Sequence, residues 1–186
     1  MDIPQKISIL VITLSDRASE GIYEDLSGPM IISMLEKHWM KLKRQIEIEH
    51  IIIPDSEADL ISILSNEREN RNIMITTGGT GIGTNDITVD VVKPMLDKEI
   101  PGIMELIRVK YGMKKPNAVL SRGVAGIIGK SLIYTLPGSV KAVTEYMSEI
   151  LKTMEHLIYM QYGVDVHCKK GKNESDKTSK CEKRRS

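Results

Sequence analysis

The run Ile7 to Leu14, ISILVITL, is continuous, largely apolar and rich in β-branched residues. A strand of that pattern has no face to give to water, so it must lie inside a sheet covered on both sides. The remainder of the chain fits that demand. After a polar loop from Ser15 to Leu26, Ser27 stands as a helix cap with Pro29 in the first turn, and Met30, Ile31, Met34, Leu35 and Trp39 share one helical face. Residues 46–53 read as a second strand, and Ser56 with Asp59 makes a capping-box spacing ahead of Leu60, Ile61 and Leu64. A third strand over 72–77 leads into a glycine-rich turn. The stretch 88–111 is helical in pattern but interrupted by Pro94 and Pro101, which predicts two short helices, the second starting near Pro101. A small-residue stretch over 118–129 precedes a strand over 131–136. The last helix has Ser139 as its cap and Val143, Tyr146, Met147, Ile150, Leu151, Met154, Leu157 and Ile158 along one stripe. Its methionines read as core filling or subunit contact, not as a cofactor box. Strands alternating with amphipathic helices predict an α/β fold, a mostly parallel sheet with helices on both faces.

Composition narrows the function classes. With one Trp, six Tyr and no Phe in 186 residues, the core must be built from Ile, Leu, Val and the 11 Met, and aromatic-rich platforms that grip single-stranded nucleic acid are not expected. No uncharged apolar stretch reaches the roughly 18 residues of a membrane span, and the N-terminus reads as a strand, not a secretory signal. A cytoplasmic protein is expected. The net charge of +1 hides an asymmetry: residues 165–186 hold eight basic and four acidic side chains, whereas 1–164 hold 18 and 21. This predicts one domain over 1–164 and a basic, disordered tail over 165–186 that serves solubility, with contact to RNA, DNA or acidic surfaces as the weaker reading. Cys168, Cys181 and His167 lie in or beside that tail, where nothing orients them as zinc ligands, so reduced and idle thiols are expected.

In sheets of this kind ligands bind beyond the carboxyl ends of the strands. The four loops there carry Ser15, Asp16 and Arg17; Pro54, Asp55 and Ser56; Thr76 to Gly81 (TTGGTG); and Pro137, Gly138 and Ser139. Any one of them has a bland reading as a turn that uses Gly, Ser, Asp and Pro for geometry. Together, with three glycines among six residues, they point to backbone N–H groups turned toward one anion, most naturally phosphate. The run is not a dinucleotide fingerprint, because Thr84 stands where the third glycine belongs. Nor is Gly123 to Ser131 (GVAGIIGKS) a P-loop: one residue too many separates its glycines, and Ser131 leads into a strand. Asp55 and Asp86 flank the turn. Each can be a simple turn or cap residue, or a functional acid that faces phosphate through Mg²⁺.

Five segments, 15–29 (SDRASEGIYEDLSGP), 76–88 (TTGGTGIGTNDIT), 97–108 (DKEIPGIMELIR), 121–127 (SRGVAGI) and 136–143 (LPGSVKAV), resemble the molybdopterin adenylyltransferases of molybdenum and tungsten cofactor biosynthesis. The resemblance covers about residues 5–160. It implies a three-layer α/β/α domain that forms a trimer or hexamer, works with other cofactor-biosynthesis proteins, and transfers AMP from Mg-ATP to the terminal phosphate of molybdopterin. It also implies residue roles. Asp55 and Asp86 would be catalytic and hold Mg²⁺, while Thr77, Gly78, Gly79, Thr80 and Gly81 would cradle phosphate. Ser15, Arg17, Glu99, Ser121, Arg122, Pro137, Gly138 and Ser139 would bind nucleotide or pterin phosphate, with Arg122 and Arg17 as counter-charges. No membrane or specific nucleic-acid partner is implied. The chain departs from the family at Asn85, where a basic residue is usual, and at Val89 and Val140, where proline is common. Two other readings stay open: a non-catalytic molybdopterin-binding or assembly module, and a generic nucleotide-binding enzyme. Because the tail balances the net charge without supplying the site, removing 165–186 is expected to leave ATP-dependent turnover nearly unchanged, as a steady-state assay of the truncated chain would show.

Overall fold

The computed structural model describes residues 4–164. The predicted tail, with its cysteines, lies outside the described residues. In chain order the elements are β1 (Lys6–Leu14), a one-turn α1 (Asp16–Ser19), α2 (Ser27–Lys41), β2 (Gln45–Ile53), α3 (Glu57–Glu67) and β3 (Ile73–Thr77). Then come α4 (Thr88–Met95), β4 (Lys98–Glu99), α5 (Pro101–Gly112), a 3₁₀ turn (Pro116–Leu120), β5 (Ala125–Ile128), β6 (Ser131–Leu136) and α6 (Val140–Gln161). The sheet order is β2-β1-β3-β6-β5-β4: the first four strands are parallel, and β5 runs antiparallel to both β6 and β4.

β1 is buried on both faces, as its composition requires. Ile7, Ile9 and Val11 enter one core with Ile31, Leu35 and Trp39 of α2, Met104 and Ile107 of α5, and Met147, Ile150, Met154 and Ile158 of α6. Leu10, Ile12 and Leu14 enter the other with Leu60 and Leu64 of α3 and Val91 and Val92 of α4. Three layers result from one strand's period of two. Among the described residues no helix is long and apolar enough to cross a membrane.

Two expectations need correction. The 118–129 stretch contains strand β5, which its composition hides: a Cβ on Gly126 would overlap the Lys98 carbonyl, so the residue that pairs with the edge strand must lack a side chain. The rejected P-loop decoy is then the β5–β6 hairpin, turning at Gly129 with φ +55°. Ser27 is not the cap of α2. Asp25 Oδ1 accepts from the backbone N–H of Ser27 at 2.8 Å and of Gly28 at 3.1 Å, and Ser27 itself donates its hydroxyl to the same oxygen. A carboxylate is the stronger acceptor for the helix's unpaired donors. Ser56 and Ser139 do cap α3 and α6, accepting from Asp59 and Ala142.

α5 is tied to α6 by a carboxylate. Glu149, with its side chain 6% exposed, accepts from Lys110 Nζ at 2.6 Å and Lys152 Nζ at 2.7 Å. The Lys110 hydrogen bond, then that from Lys152, hold its pKa down to about 2 against the opposing effect of burial. A depressed carboxylate pKa stabilises the fold above the unfolded value near 4.5, and that contribution disappears as pH falls toward 2. Urea titrations of Glu149→Gln should show lower stability than the parent at neutral pH and a shallower loss on acidification below about pH 4.5.

Candidate active site

The chain runs from β1 outward to β2, then returns past β1 to β3, so the topological switch lies between β1 and β3. Loops leaving these two strands diverge there and open a crevice at their carboxyl ends. Three adjoining hollows occupy it. One of about 520 Å³ is lined by Ser15, Asp16, Arg17, Asp55, Gly79 and Asp86, among others. A second, of about 430 Å³, shares Gly79 and Asp86 and adds Thr80, Gly81, Ser121, Pro137, Gly138 and Tyr146. The third, of about 400 Å³, shares Ser15 and Arg17 with the first and Gly138 with the second, and adds Thr13, Tyr23, Asp25, Ser27, Thr77 and Ser139.

The glycine turn is built tightly. Gly78, at φ +103°, donates to Leu136 O at 3.0 Å, and a side chain there would overlap the Leu14 carbonyl. Gly79, at φ +63°, is pressed against Thr88, whose hydroxyl donates to Gly78 O at 2.8 Å and whose N–H donates to Gly79 O at 3.1 Å. Only glycine tolerates both conformation and contact here. The carbonyls of Gly78 and Gly79 are thereby occupied, while the N–H groups of Gly79, Thr80 and Gly81 have no partner among the described residues. That is the arrangement of an anion-binding nest. Thr77 donates to Pro137 O at 2.9 Å, which joins the glycine turn to the Pro137–Ser139 loop.

Asp16 and Asp55 clasp two loops together: Asp55 N donates to Asp16 Oδ1 at 2.9 Å, and Asp16 N to Asp55 Oδ2 at 3.2 Å. Asp86 Oδ2 accepts from Gly83 N at 2.7 Å, which closes the turn but does not cap α4. Burial, and then the charges of Asp16 and Asp86, push the Asp55 pKa up against the pull of its hydrogen bond from Asp16. Three carboxylates in one hollow is an arrangement that a cation relieves. Among the described residues no three acidic, imidazole or thiolate groups could hold a metal ion by themselves. The donor set suits Mg²⁺ carried in on phosphates, which takes only one or two protein carboxylates.

Arg122 has a different part from the one expected. Its Nε donates to Gly81 O at 2.6 Å, its second terminal nitrogen to Asp86 O at 2.8 Å, and both terminal nitrogens to the carboxylate of Asp90 at 2.8 and 2.9 Å. Four of its five N–H donors are used within the protein and it lines none of the three hollows, so it braces the glycine turn against α4. Arg17 forms no ion pair among the described residues; it lies over the Tyr23 ring at 5.6 Å and faces the first and third hollows. Glu99 is not brought to the crevice. It sits on edge strand β4, 3.7 Å from Lys93 Nζ, and lines a separate hollow with Ile127 and Leu157. Ser15 caps α1, and Ser121 Oγ accepts from Gly123 N at 3.4 Å beside the second hollow. Sequence reasoning does not single out Asp16 as a site residue. It stands in the right loop, but its partnership with Asp55, 39 positions away, depends on the β1–β2 register.

These features define an α/β domain with a polar crevice at the switch point of its sheet, where three backbone amides of the glycine turn have no partner among the described residues. Residues 10–156 match the family described as "Probable molybdopterin binding domain", and the chain belongs to that family. It is 38% identical over 162 residues to a molybdopterin adenylyltransferase of Helicobacter pylori strain J99, covering 86% of this chain and 90% of that protein. It is 36% identical over 155 residues to gephyrin of Dictyostelium discoideum, covering 80% of this chain but 21% of that protein. Among solved structures, the tungsten cofactor synthesizing protein MoaB of Pyrococcus furiosus superposes with a TM-score of 0.73 at 33% identity, covering 85% of this chain and 98% of that one.

The clamp reading of Arg122 has a direct test. Arg122→Lys keeps the charge but loses the planar fork, and should lower unfolding free energy by about 1–2 kcal/mol in urea titration. A simple counter-charge would tolerate that exchange.

Proposed function

We propose that the chain is a molybdopterin adenylyltransferase, which transfers AMP from Mg-ATP to the terminal phosphate of molybdopterin. The observation that carries this reading is the row of unpaired N–H groups at Gly79, Thr80 and Gly81 on the turn that borders the two hollows lined by Asp86, the first of which also holds Asp55. An oxygen of the pterin phosphate attacks the α-phosphorus of ATP, the bond to the β-phosphate oxygen breaks, and pyrophosphate leaves. Two polyanions must approach each other, so the rate depends on positioning and on charge neutralisation. The nest holds phosphate, Arg17 adds a positive charge, and the adjoining hollows give room for the two reactants side by side. Asp55 and Asp86 each keep one carboxylate oxygen outside their internal hydrogen bonds, and these would hold Mg²⁺. When bound, the ion would offset phosphate charge. Asp86 also closes the turn that forms the nest, so it would link the phosphate site to any metal held there. A homo-oligomer, trimer or hexamer, is part of the proposal and is read from a light-scattering mass. No part is assigned to Glu99.

One observation favours the alternative of a binding module without catalysis: with Arg122 internally committed and Asn85 replacing a base, Arg17 is the cation left at the first hollow. Incubating the protein with molybdopterin, ATP and Mg²⁺ should yield pyrophosphate and adenylylated pterin. Binding of pterin without ATP in calorimetry, and no product, would leave only the module. Asp86→Asn, which can still accept from Gly83, should keep the fold and pterin affinity yet lower turnover by at least about 100-fold; an unchanged rate removes Asp86 from the mechanism.

A further inference from the structure

Beneath the third hollow, three side chains from β1, the loop before α2, and β2 meet. Thr13 Oγ1 donates to Asp25 Oδ2 at 2.6 Å, His50 Nε2 lies 3.0 Å from Thr13 Oγ1, and the same nitrogen is 3.1 Å from Asp25 Oδ2. Asp25 is buried, with its side chain 4% exposed, and His50 largely so at 21%. A hydroxyl has one proton, and that of Thr13 goes to the carboxylate. His50 Nε2 must therefore carry a hydrogen and act as the donor toward both oxygens. Asp25 Oδ1 takes the donors of Ser27 and Gly28 at the start of α2. Burial raises the Asp25 pKa, but the hydroxyls of Thr13 and Ser27 and the two amides outweigh it, so the group stays ionised. Gly28 is required by the same contact, since a Cβ there would overlap both the His50 ring and the Asp25 carboxylate.

The network continues to the site. Two residues before Asp25, Tyr23 donates its N–H to Arg17 O at 3.1 Å, Ile22 N donates to the same carbonyl at 2.9 Å, and the Tyr23 ring lies under the Arg17 guanidinium. Tyr23, Arg17, Asp25 and Thr13 all line the third hollow. At its other end the loop is held by Ser15 N on Ile53 O and by the Asp16–Asp55 clasp. We propose that His50 is a positioning residue that, through Asp25 and Thr13, fixes the 15–26 loop and thereby sets where the Arg17 guanidinium meets the anionic part of the substrate. The inference deepens the proposed function and rests on it for the identity of the anion. His50 itself touches no substrate.

His50→Leu removes the donor at similar bulk. It should raise KM, and the calorimetric Kd for molybdopterin or ATP, whichever contacts Arg17, about tenfold, with kcat within about twofold. His50→Gln, which keeps an N–H donor, should recover most of the affinity. Arg17→Ala combined with His50→Leu should bind no more weakly than Arg17→Ala alone, because the two act in series. A merely structural histidine would lower thermal stability but leave the split between KM and kcat unmoved and the double variant additive. Hydrogen exchange provides a readout that needs no ligand: the amides of Ile22 and Tyr23 should exchange at least about tenfold faster in His50→Leu. If His50→Leu does not fold, Thr13→Val removes the central hydroxyl within the same shape and should show the same pattern. Unchanged affinity and unchanged exchange in a folded variant, or additive effects with Arg17→Ala, would overturn the proposal. Absence of adenylyl transfer by the parent protein sinks the proposed function instead, and affinity or exchange still decides the role of His50.

Discussion

Burial of β1 on both faces is the constraint on which the rest of the molecule depends. Because Ile9 and Val11 belong to one core and Leu10 and Ile12 to the other, β1 must be covered by helices on both faces, and it lies inside the sheet with a parallel neighbour on each edge. The chain satisfies this by placing β2 on one side and β3 on the other, and that reversal creates the crevice between the β1 and β3 loops. The candidate site is thus a by-product of how the most apolar strand is covered. The Pro137–Ser139 loop joins it because β6 pairs with β3 in parallel register, which brings Leu136 level with Thr77.

Charge then decides what such a crevice can hold. The first hollow contains three carboxylates and one arginine, a poor match to a polyanion by side-chain charge alone. The oriented amides of the glycine turn offset this locally, since unpaired N–H groups carry partial positive charge without a counter-ion. Arg122 contributes indirectly by holding the carbonyls of Gly81 and Asp86, which fixes the far side of the turn. Under the proposed function, a cation arriving with the substrate would complete the balance. The same reasoning explains why losing a base at Asn85 is tolerable only if geometry carries most of the recognition.

Much of this is legible in the sequence, and the failures have physical causes. Strand β1, both proline-bounded helices, the Ser56 and Ser139 caps and the glycine turn all leave local signatures of periodicity or turn chemistry. β5 does not, because Gly126 is selected by contact with the edge strand and not by strand propensity. Ser27 looks like a cap in sequence, but Asp25, two residues earlier, is the better acceptor once the loop curls back. Arg122 is legible as a candidate counter-charge; that it pairs with Asp90 requires knowing that Asp90, in the first turn of α4, reaches back to the loop. Asp16 and His50 leave no local signature because their partners are brought to them by strand register.

The acids of the crevice illustrate how environment sorts identical side chains. Asp25 receives donors on both oxygens from Thr13, Ser27, Gly28 and His50, so its lone pairs are filled and it can act only as framework. Asp55 and Asp86 each accept a single internal bond, and each keeps an oxygen for something that arrives from outside. Asp55 is moreover held in a half-buried, like-charged setting that disfavours its ionised form. The framework acid ties the loop to β1 and β2, and the under-coordinated acids leave carboxylate oxygens open in the first hollow, where the proposed function would use them. The number of donors aimed at each carboxylate therefore separates scaffold from chemistry more sharply than the presence of an acid in the motif.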